Sequence, residues 1–455
     1  MDFRFRRAII TGKAGARIIS IIDKNRGTTW AGRTALGIDP DFFSGLSGID
    51  PSRVLFVTGT NGKSTLTALI SHILASKGFN VLTNSGGANM TSGVASALVK
   101  GADMSGRINA DYCIFEVDER YLHEIRQYVS CDNLLVSNLE KDQAQRNGDP
   151  DFIYRKIAGV LDEFRMNVFL NGDEPRSCAL ADHSDHTVFY AAQRHNRAFR
   201  KDDTFVTLPC PHCRSRIRFA YHNNDGVGRF KCDKCGYTNN NGRDKADYLL
   251  KDADFDKKTF VINDLTFPMP YDEPYMLYNY AAAVAVCKEF AGITEEESAA
   301  AIATFTVPEG RIVNIEYKGL NMKYFMFKQE NPETLQNFIN AAAADPDEKV
   351  IILGFGVVDT FDPHYINSFY AFECDYSALA ESNLRKILVV TDTSAYDAAN
   401  CLIYGGIDPS VIEVIPTNDP EKILDAAMGL DCGNIYLTVN MTTFKQIRKF
   451  AEKNR

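Results

Sequence analysis

Short apolar runs separated by amphipathic stretches dominate the first part of the chain. Four of these runs predict strands: Val54–Val57, Asp111–Val117, Asn133–Ser137 and Asn167–Leu170. Residues 64–77 have helical periodicity, and the alanine-rich stretch 278–290 predicts a second helix. Strands that alternate with helices predict a parallel sheet covered on both faces, so the predicted fold class is α/β.

A second series of apolar runs begins at Lys349. Residues 350–353, 386–390, 411–415 and 435–439 predict four strands of a smaller α/β domain. Between the two series, residues 195–247 are polar and contain two cysteine pairs, which indicates an insertion. We therefore predict a helical segment over 1–50, a central domain over 51–307 and a C-terminal domain over 308–455.

A glycine-containing loop joins the first predicted strand to the helix that follows it. The loop residues are Gly59, Thr60, Asn61, Gly62, Lys63, Ser64 and Thr65. Glycines let backbone N–H groups turn toward a phosphate, and a helix N-terminus adds partial positive charge. A lysine there can bridge the outer phosphates, and a serine hydroxyl can hold Mg²⁺. Only two residues separate Gly59 and Gly62, whereas the general phosphate-loop motif has four residues between its glycines. The alternative to a phosphate-binding loop is a plain glycine turn before a helix.

Magnesium needs further oxygen ligands, and acidic residues lie at the end of the next predicted strand, 111–117. Glu116 and Asp118 follow that apolar run, where the carboxyl end of a parallel strand would lie beside the loop. A hard cation prefers carboxylates. Either residue could therefore serve as a magnesium ligand, and a solvated acidic loop is the alternative.

Four of the eleven cysteines form two tight pairs. Cys210 and Cys213 make one pair, Cys232 and Cys235 the other, and eighteen residues separate the pairs. This spacing predicts a four-thiolate zinc ribbon, and a complete set of protein ligands indicates a structural metal. A nucleic-acid-binding ribbon is the alternative. The other seven cysteines are predicted to be buried thiols.

Composition narrows the class of protein. Hydrophobic residues make up 45% and charged residues 24% of the 455 residues, which is typical of globular proteins. The sequence has no apolar run long enough to span a membrane and no signal-peptide pattern at its start, so we expect a cytoplasmic protein. A net charge of −9 argues against a nucleic-acid partner.

The loop Thr-Gly-Thr-Asn-Gly-Lys-Ser resembles that of the Mur ligases and the folylpolyglutamate synthetases. Further segments are similar to the MurT family, the ligase-like subunits of lipid II isoglutaminyl synthases. They are residues 32–42, 87–96, 115–119, 137–143, 171–175 and 278–279, together with the four-cysteine insertion. The resemblance covers nearly the whole chain.

The resemblance implies a function and roles for individual residues. ATP and Mg²⁺ would be held by the glycine loop with Lys63, Ser64 and Glu116, while Asn279 and Arg311 would contact the nucleotide. The α-carboxylate of D-glutamate in the lipid-linked peptidoglycan precursor would be activated as an acyl phosphate and then amidated. The ammonia would come from a GatD-like glutamine amidotransferase, to which Asp359 or Asp362 would contribute a catalytic aspartate.

The C-terminal domain departs from the family in several segments. Residues 328–333, 354–365, 372–376 and 392–397 match the MurT blocks only loosely. Two other hypotheses therefore stand beside amidation. One is a stand-alone ligase that joins an amino acid to a carboxylate, and the other is a nucleotide-binding scaffold without catalysis.

Overall fold

The structure is a computed structural model. It describes residues 3–22, 29–84, 88–141, 149–198, 208–224, 226–306, 312–325, 331–355, 368–391 and 394–454. These residues fall into two compact units. The first lies within Met1–Glu140 and Asp149–Pro308, and the second within Lys141–Gly148 and Glu309–Arg455.

The first unit contains eleven strands among its described residues. They are β1 (Val54–Thr58), β2 (Val81–Thr83), β3 (Tyr112–Glu116), β4 (Asn133–Val136), β5 (Asn167–Asn171), β6 (Thr187–Ala192), β7 (Ile217–Asn224), β8 (Val227–Cys232), β9 (Tyr248–Asp254), β10 (Thr259–Ile262) and β11 (Leu265–Pro268). Nine of them form one sheet in the order β11-β10-β9-β6-β5-β4-β1-β3-β2, and β7 and β8 form a separate hairpin. The strands from β2 to β9 in this sheet are parallel, and β10 and β11 extend the far edge antiparallel.

Nine α-helices belong to the described part of this unit. They are α1 (Phe3–Ile22), α2 (Trp30–Ile38), α3 (Lys63–Ser76), α4 (Thr91–Gly101), α5 (Leu122–Tyr128), α6 (Pro150–Phe164), α7 (Pro175–Ala179), α8 (Pro274–Ala291) and α9 (Glu295–Ile302). The segment predicted as helical over 1–50 thus contains two α-helices, α1 and α2.

Strand β1 shows why the apolar runs of this unit are continuous. Val54 and Phe56 point into one apolar core, while Leu55 and Val57 point into the other. Both faces of the sheet are covered, so every position of the strand is buried. Because β1 lies between β3 and β4, the loop after Thr58 emerges next to the ends of both neighbours.

The described residues of the second unit form a six-stranded sheet with helices. Its strands are β12 (Ile312–Tyr317), β13 (Leu320–Phe325), β14 (Lys349–Gly354), β15 (Leu384–Val390), β16 (Ile412–Val414) and β17 (Ile435–Val439), in the order β12-β13-β17-β14-β15-β16. Its helices are α10 (Pro332–Ala344), α11 (Ser377–Ala380), α12 (Ala395–Tyr404), α13 (Pro420–Met428) and α14 (Met441–Lys453).

The predicted α/β fold class is confirmed, and all four strands predicted for the second series are present. The prediction of four strands was nevertheless too low, because an antiparallel hairpin, β12–β13, precedes them. Across the described ranges, no helix combines the length and the apolar character needed to cross a bilayer.

Candidate functional site

The loop after β1 requires glycine at two positions. Gly59 has a φ of 120° and Gly62 a φ of 87°, values that side-chain-bearing residues rarely adopt. A Cβ atom at Gly59 would also lie 2.3 Å from the Ser137 hydroxyl oxygen. The loop therefore keeps its turn and its close approach to the end of β4 only with glycine.

Helix α3 begins directly after this loop, with Lys63 as its first residue. Its N-cap is Gly62, which has no side chain to bond the N–H groups of the first turn. An uncapped helix N-terminus behind a glycine turn suits an anionic phosphate, which those N–H groups and the helix dipole would stabilise.

The Lys63 side chain folds over the loop. Its ammonium group donates to the carbonyl oxygens of Gly59 and Thr60, the latter at 3.2 Å, and forms a buried ion pair with Glu119 at 3.3 Å. Because the amine lies over the turn where phosphates would bind, it can neutralise their charge after a small rotation. Sequence reasoning predicted Lys63 here but assigned no role to Glu119.

Ser64 and Glu116 come together as a pair of oxygen donors. The Ser64 hydroxyl donates to Glu116 Oε2 at 2.7 Å, and the Asn89 amide donates to Oε1 at 3.2 Å. The Asn84 side chain bonds both backbone polar groups of Glu116, at 2.7 and 2.8 Å. A hydroxyl and a carboxylate at this distance fit the ligand preferences of Mg²⁺.

Asp118, the other carboxylate that the sequence left open, is engaged elsewhere. Arg120 forms a fork to it, with Nε to Oδ1 and Nη2 to Oδ2 both at 2.9 Å. Burial raises the pKa of Asp118, but the hydrogen bonds and charge of Arg120 outweigh it, so the pKa of Asp118 is lowered. The geometry therefore favours Glu116 as the magnesium ligand.

The end of β4 supports the loop from the other side. The backbone N–H of Thr60 donates to the Asn138 carbonyl at 2.8 Å, and that of Asn61 donates to Asn138 Oδ1 at 2.9 Å. Ser137 Oγ donates to the Asn61 carbonyl at 2.6 Å. These contacts fix the backbone path of the loop.

Several of these supporting residues had no predicted role. They are Asn84, Asn89, Glu119, Ser137 and Asn138. All follow β2, β3 or β4 in the chain, at the edge of the sheet where β1 ends. Polar residues just after buried parallel strands are the signal that could have identified them.

Asn279 lies on α8 and is buried beside the loop. A Cβ built at Gly62 would be 3.0 Å from its Oδ1 atom, so the amide faces the start of α3. Thr65 is buried in the first turn of α3.

Three other predicted site residues, Arg311, Asp359 and Asp362, lie outside the described residues.

The four ribbon cysteines converge. All four Sγ atoms lie within 4.8 Å of one another, with Cys210 and Cys235 at 3.6 Å and Cys213 and Cys232 at 3.5 Å. A tetrahedral zinc with Zn–S bonds of about 2.3 Å needs similar sulfur separations. The donor set and its spacing therefore fit zinc.

Two buried carboxylates connect the ribbon to the rest of the first unit. Asp173 accepts hydrogen bonds from Asn239 at 2.7 Å, from the Tyr278 hydroxyl at 3.0 Å and from the Ala192 N–H at 2.9 Å. Burial raises its pKa to about 6. Asp151 pairs with Arg176 at 2.7 Å and also with Arg214, which follows the first cysteine pair.

Residues 57–210 match the Mur ligase middle domain. The MurT subunit of the lipid II isoglutaminyl synthase (glutamine-hydrolyzing) of Staphylococcus aureus strain COL is 26% identical over 81% of this chain and 81% of its own length. The corresponding MurT subunit of Streptococcus pneumoniae strain R6 is 23% identical over 99% of this chain and 97% of its length.

A solved ligase structure has a similar fold. A pseudomurein peptide ligase type C from Methanothermus fervidus superposes with a TM-score of 0.65 at 16% identity, covering 88% of this chain and 79% of that one. The Mur ligase middle domain and the MurT relatives confirm the predicted resemblance. Together they indicate an ATP-dependent ligase that forms carbon–nitrogen bonds.

Proposed function

We propose that this protein uses ATP and Mg²⁺ to amidate a carboxylate of the lipid-linked peptidoglycan precursor, with ammonia from a GatD-like glutaminase subunit. The observation that carries the nucleotide part is the Ser64–Glu116 pair, which lies next to Lys63 and the glycine loop. The named activity of the MurT relatives supports the acceptor and the glutaminase.

The first step transfers a phosphoryl group. A carboxylate oxygen of D-glutamate attacks the γ-phosphorus of ATP, the bond to the bridging oxygen breaks, and ADP leaves. The first-turn N–H groups of α3 and the Lys63 ammonium would stabilise the charge on the phosphates. Ser64 and Glu116 would hold Mg²⁺, which when bound neutralises phosphate oxygens and orients them.

The second step forms the amide. Ammonia attacks the acyl carbon, the carbon–oxygen bond to phosphate breaks, inorganic phosphate leaves, and a proton is released from nitrogen. Positioning and charge neutralisation would supply most of the rate, because phosphate is already a good leaving group. Asp359 and Asp362 remain the predicted candidates for the aspartate lent to the glutaminase.

The test is an amidation assay on the purified chain. Incubation with ATP, Mg²⁺, ammonium chloride and a lipid II analogue should convert the D-glutamate α-carboxyl to an amide, detected by mass spectrometry. Glutamine should replace ammonium only when a glutaminase subunit is added. Ligation of an added amino acid in place of ammonia would instead support the stand-alone ligase, and ATP binding without any product would support the scaffold.

A further inference from the structure

Helix α1 carries an exposed face on which apolar and basic side chains are combined. Phe3, Ile10 and Ile18 are 73%, 50% and 59% exposed, and their spacing with Ala14 places them along one side of the helix. We call this side, with its neighbouring arginines Arg6, Arg7 and Arg17, the α1 face.

The opposite side of α1 already anchors the helix to the protein. Phe5, Ala8 and Ile9 are buried in the first core, and the Phe5 ring stacks on Phe42 at 5.5 Å. Lys13 donates to backbone carbonyls of Lys100 and Ala102 at the end of α4. Among the described residues, the core contacts of α1 come from this buried side, and Phe3, Ile10 and Ile18 are not members of the core.

The charge of this helix contrasts with that of the whole chain. Its basic residues are Arg4, Arg6, Arg7, Lys13 and Arg17, and it has no acidic residue. The chain as a whole has a net charge of −9. A row of apolar side chains flanked by arginines is typical of helices that lie in the interface of an anionic membrane.

We infer that the α1 face docks on an anionic lipid surface. The apolar residues would enter the boundary between headgroups and acyl chains, and the arginines would contact lipid phosphates. Charge complementarity favours an anionic lipid over the α1 face of a second copy, because two basic faces would repel each other. The inference goes beyond the proposed function, and it would bring the site toward a lipid-linked acceptor.

The chain provides its own reporter for this contact. Its one tryptophan, Trp30, is 39% exposed and starts α2. The Trp30 ring packs on α1, because a Cβ atom at Gly15 would lie 1.7 Å from it. Insertion of the α1 face into a bilayer should therefore shift the emission of Trp30 to shorter wavelength, without any added label.

The test is co-sedimentation of the full chain with vesicles, together with Trp30 emission. Binding should occur with phosphatidylcholine mixed with phosphatidylglycerol, should be weak with phosphatidylcholine alone, and should fall at high salt. The double variant Arg6→Glu/Arg7→Glu should bind at least about 25-fold more weakly, since each arginine contributes about fivefold and both charges are reversed. Ile10→Ser/Ile18→Ser should also bind about tenfold more weakly.

A second basic helix supplies the matched control. Helix α14 exposes Lys445 and Lys449, and Lys445→Glu/Lys449→Glu should leave vesicle binding unchanged. The inference would be overturned if this control lost vesicle binding as much as the α1 variants do. It would also be overturned if the α1 variants bound vesicles like the wild type. Binding to poly-glutamate with no binding to vesicles would assign the face to an acidic protein instead.

Vesicle binding requires no turnover, so it is separable from the proposed chemistry. Lys63→Ala protein should bind vesicles like the wild type. The α1 variants should keep their melting temperature, because the changed side chains lie on the exposed side of the helix.

Discussion

Ser64 Oγ lies 2.7 Å from Glu116 Oε2, although 52 positions separate the two residues in the chain. The parallel pairing of β1 with β3 produces this contact, because Val57 and Glu116 are register partners at the ends of adjacent strands. The hydroxyl at the start of α3 and the carboxylate at the end of β3 therefore belong to one site.

Glu116→Gln should raise the Mg²⁺ concentration needed for half-maximal ATP turnover by about tenfold or more. Glutamine keeps the hydrogen bond with Ser64 but loses the charge that a hard cation requires. Magnesium titrations of the ATPase rate provide the measurement. Glu163→Gln, at an exposed ion pair with His123, is the control and should behave like the wild type.

Lys63→Ala should reduce ATP turnover by about 100-fold or more, because a preorganised charge near the transferred phosphate is lost. The control is Lys77→Ala, which removes a surface lysine just after the other end of α3, where it pairs with Glu297. A steady-state phosphate-release assay measures both variants. Unchanged turnover in Lys63→Ala would remove this lysine from the mechanism.

Cys232→Ser should abolish stoichiometric zinc and lower the first melting transition by roughly 5 °C or more, because the metal ties both cysteine pairs into one fold. Metal analysis and thermal melts measure the two effects. Cys432→Ser, a buried thiol in the second unit, should retain zinc. Zinc content equal to that of the wild type in Cys232→Ser would contradict the four-thiolate site.

Asp173 should make stability depend on pH in an unusual direction. Its folded-state pKa of about 6 lies above the ordinary value of 3.8, so the folded state binds the proton more tightly than the unfolded state does. The contribution of Asp173 to the free energy of unfolding is therefore largest at low pH. It falls by up to about 3 kcal/mol as the pH rises from about 4 through 6.

Denaturation of Asp173→Asn across this pH range should isolate the effect. The variant should be less stable, because Asn239 would face an amide, but it should lack this fall in stability with pH. A pH dependence identical to that of the wild type would mean that Asp173 does not titrate in this window.

Continuous apolar runs made the buried parallel strands predictable. The predicted bounds of β1, β4, β14 and β17 agree with the structure within one residue at each end, because both faces of these strands are covered. The hairpin β12–β13 was not predicted, because only continuous apolar runs were read as strands in this part of the chain. The alternation of apolar and polar residues along both strands was the available signal, and the turn between them places Lys318 and Gly319 at positive φ.

The residues of the candidate site also fall into a group that the sequence predicted and a group that it did not. Lys63 and Ser64 were predictable because the motif that contains them is contiguous in sequence. Glu119 and Asn84 were not assigned roles, because only the strand order β4-β1-β3-β2 brings them to the loop. A polar residue just after a buried strand marks each of them locally, but no single segment of the sequence shows which strands lie side by side.

The four-cysteine ribbon leaves the sheet after β6 and the chain returns in β9, which pairs directly with β6 through Tyr190 and Tyr248. Because these two strands are parallel, the ribbon could be replaced only by a shorter crossover that returns the chain to the start of β9. Asp173 and Asp151 oppose this, because each would lose a partner, Asn239 or Arg214. In evolutionary terms, a lineage that discards the ribbon should therefore change these two aspartates as well, and the three features should be inherited or lost together.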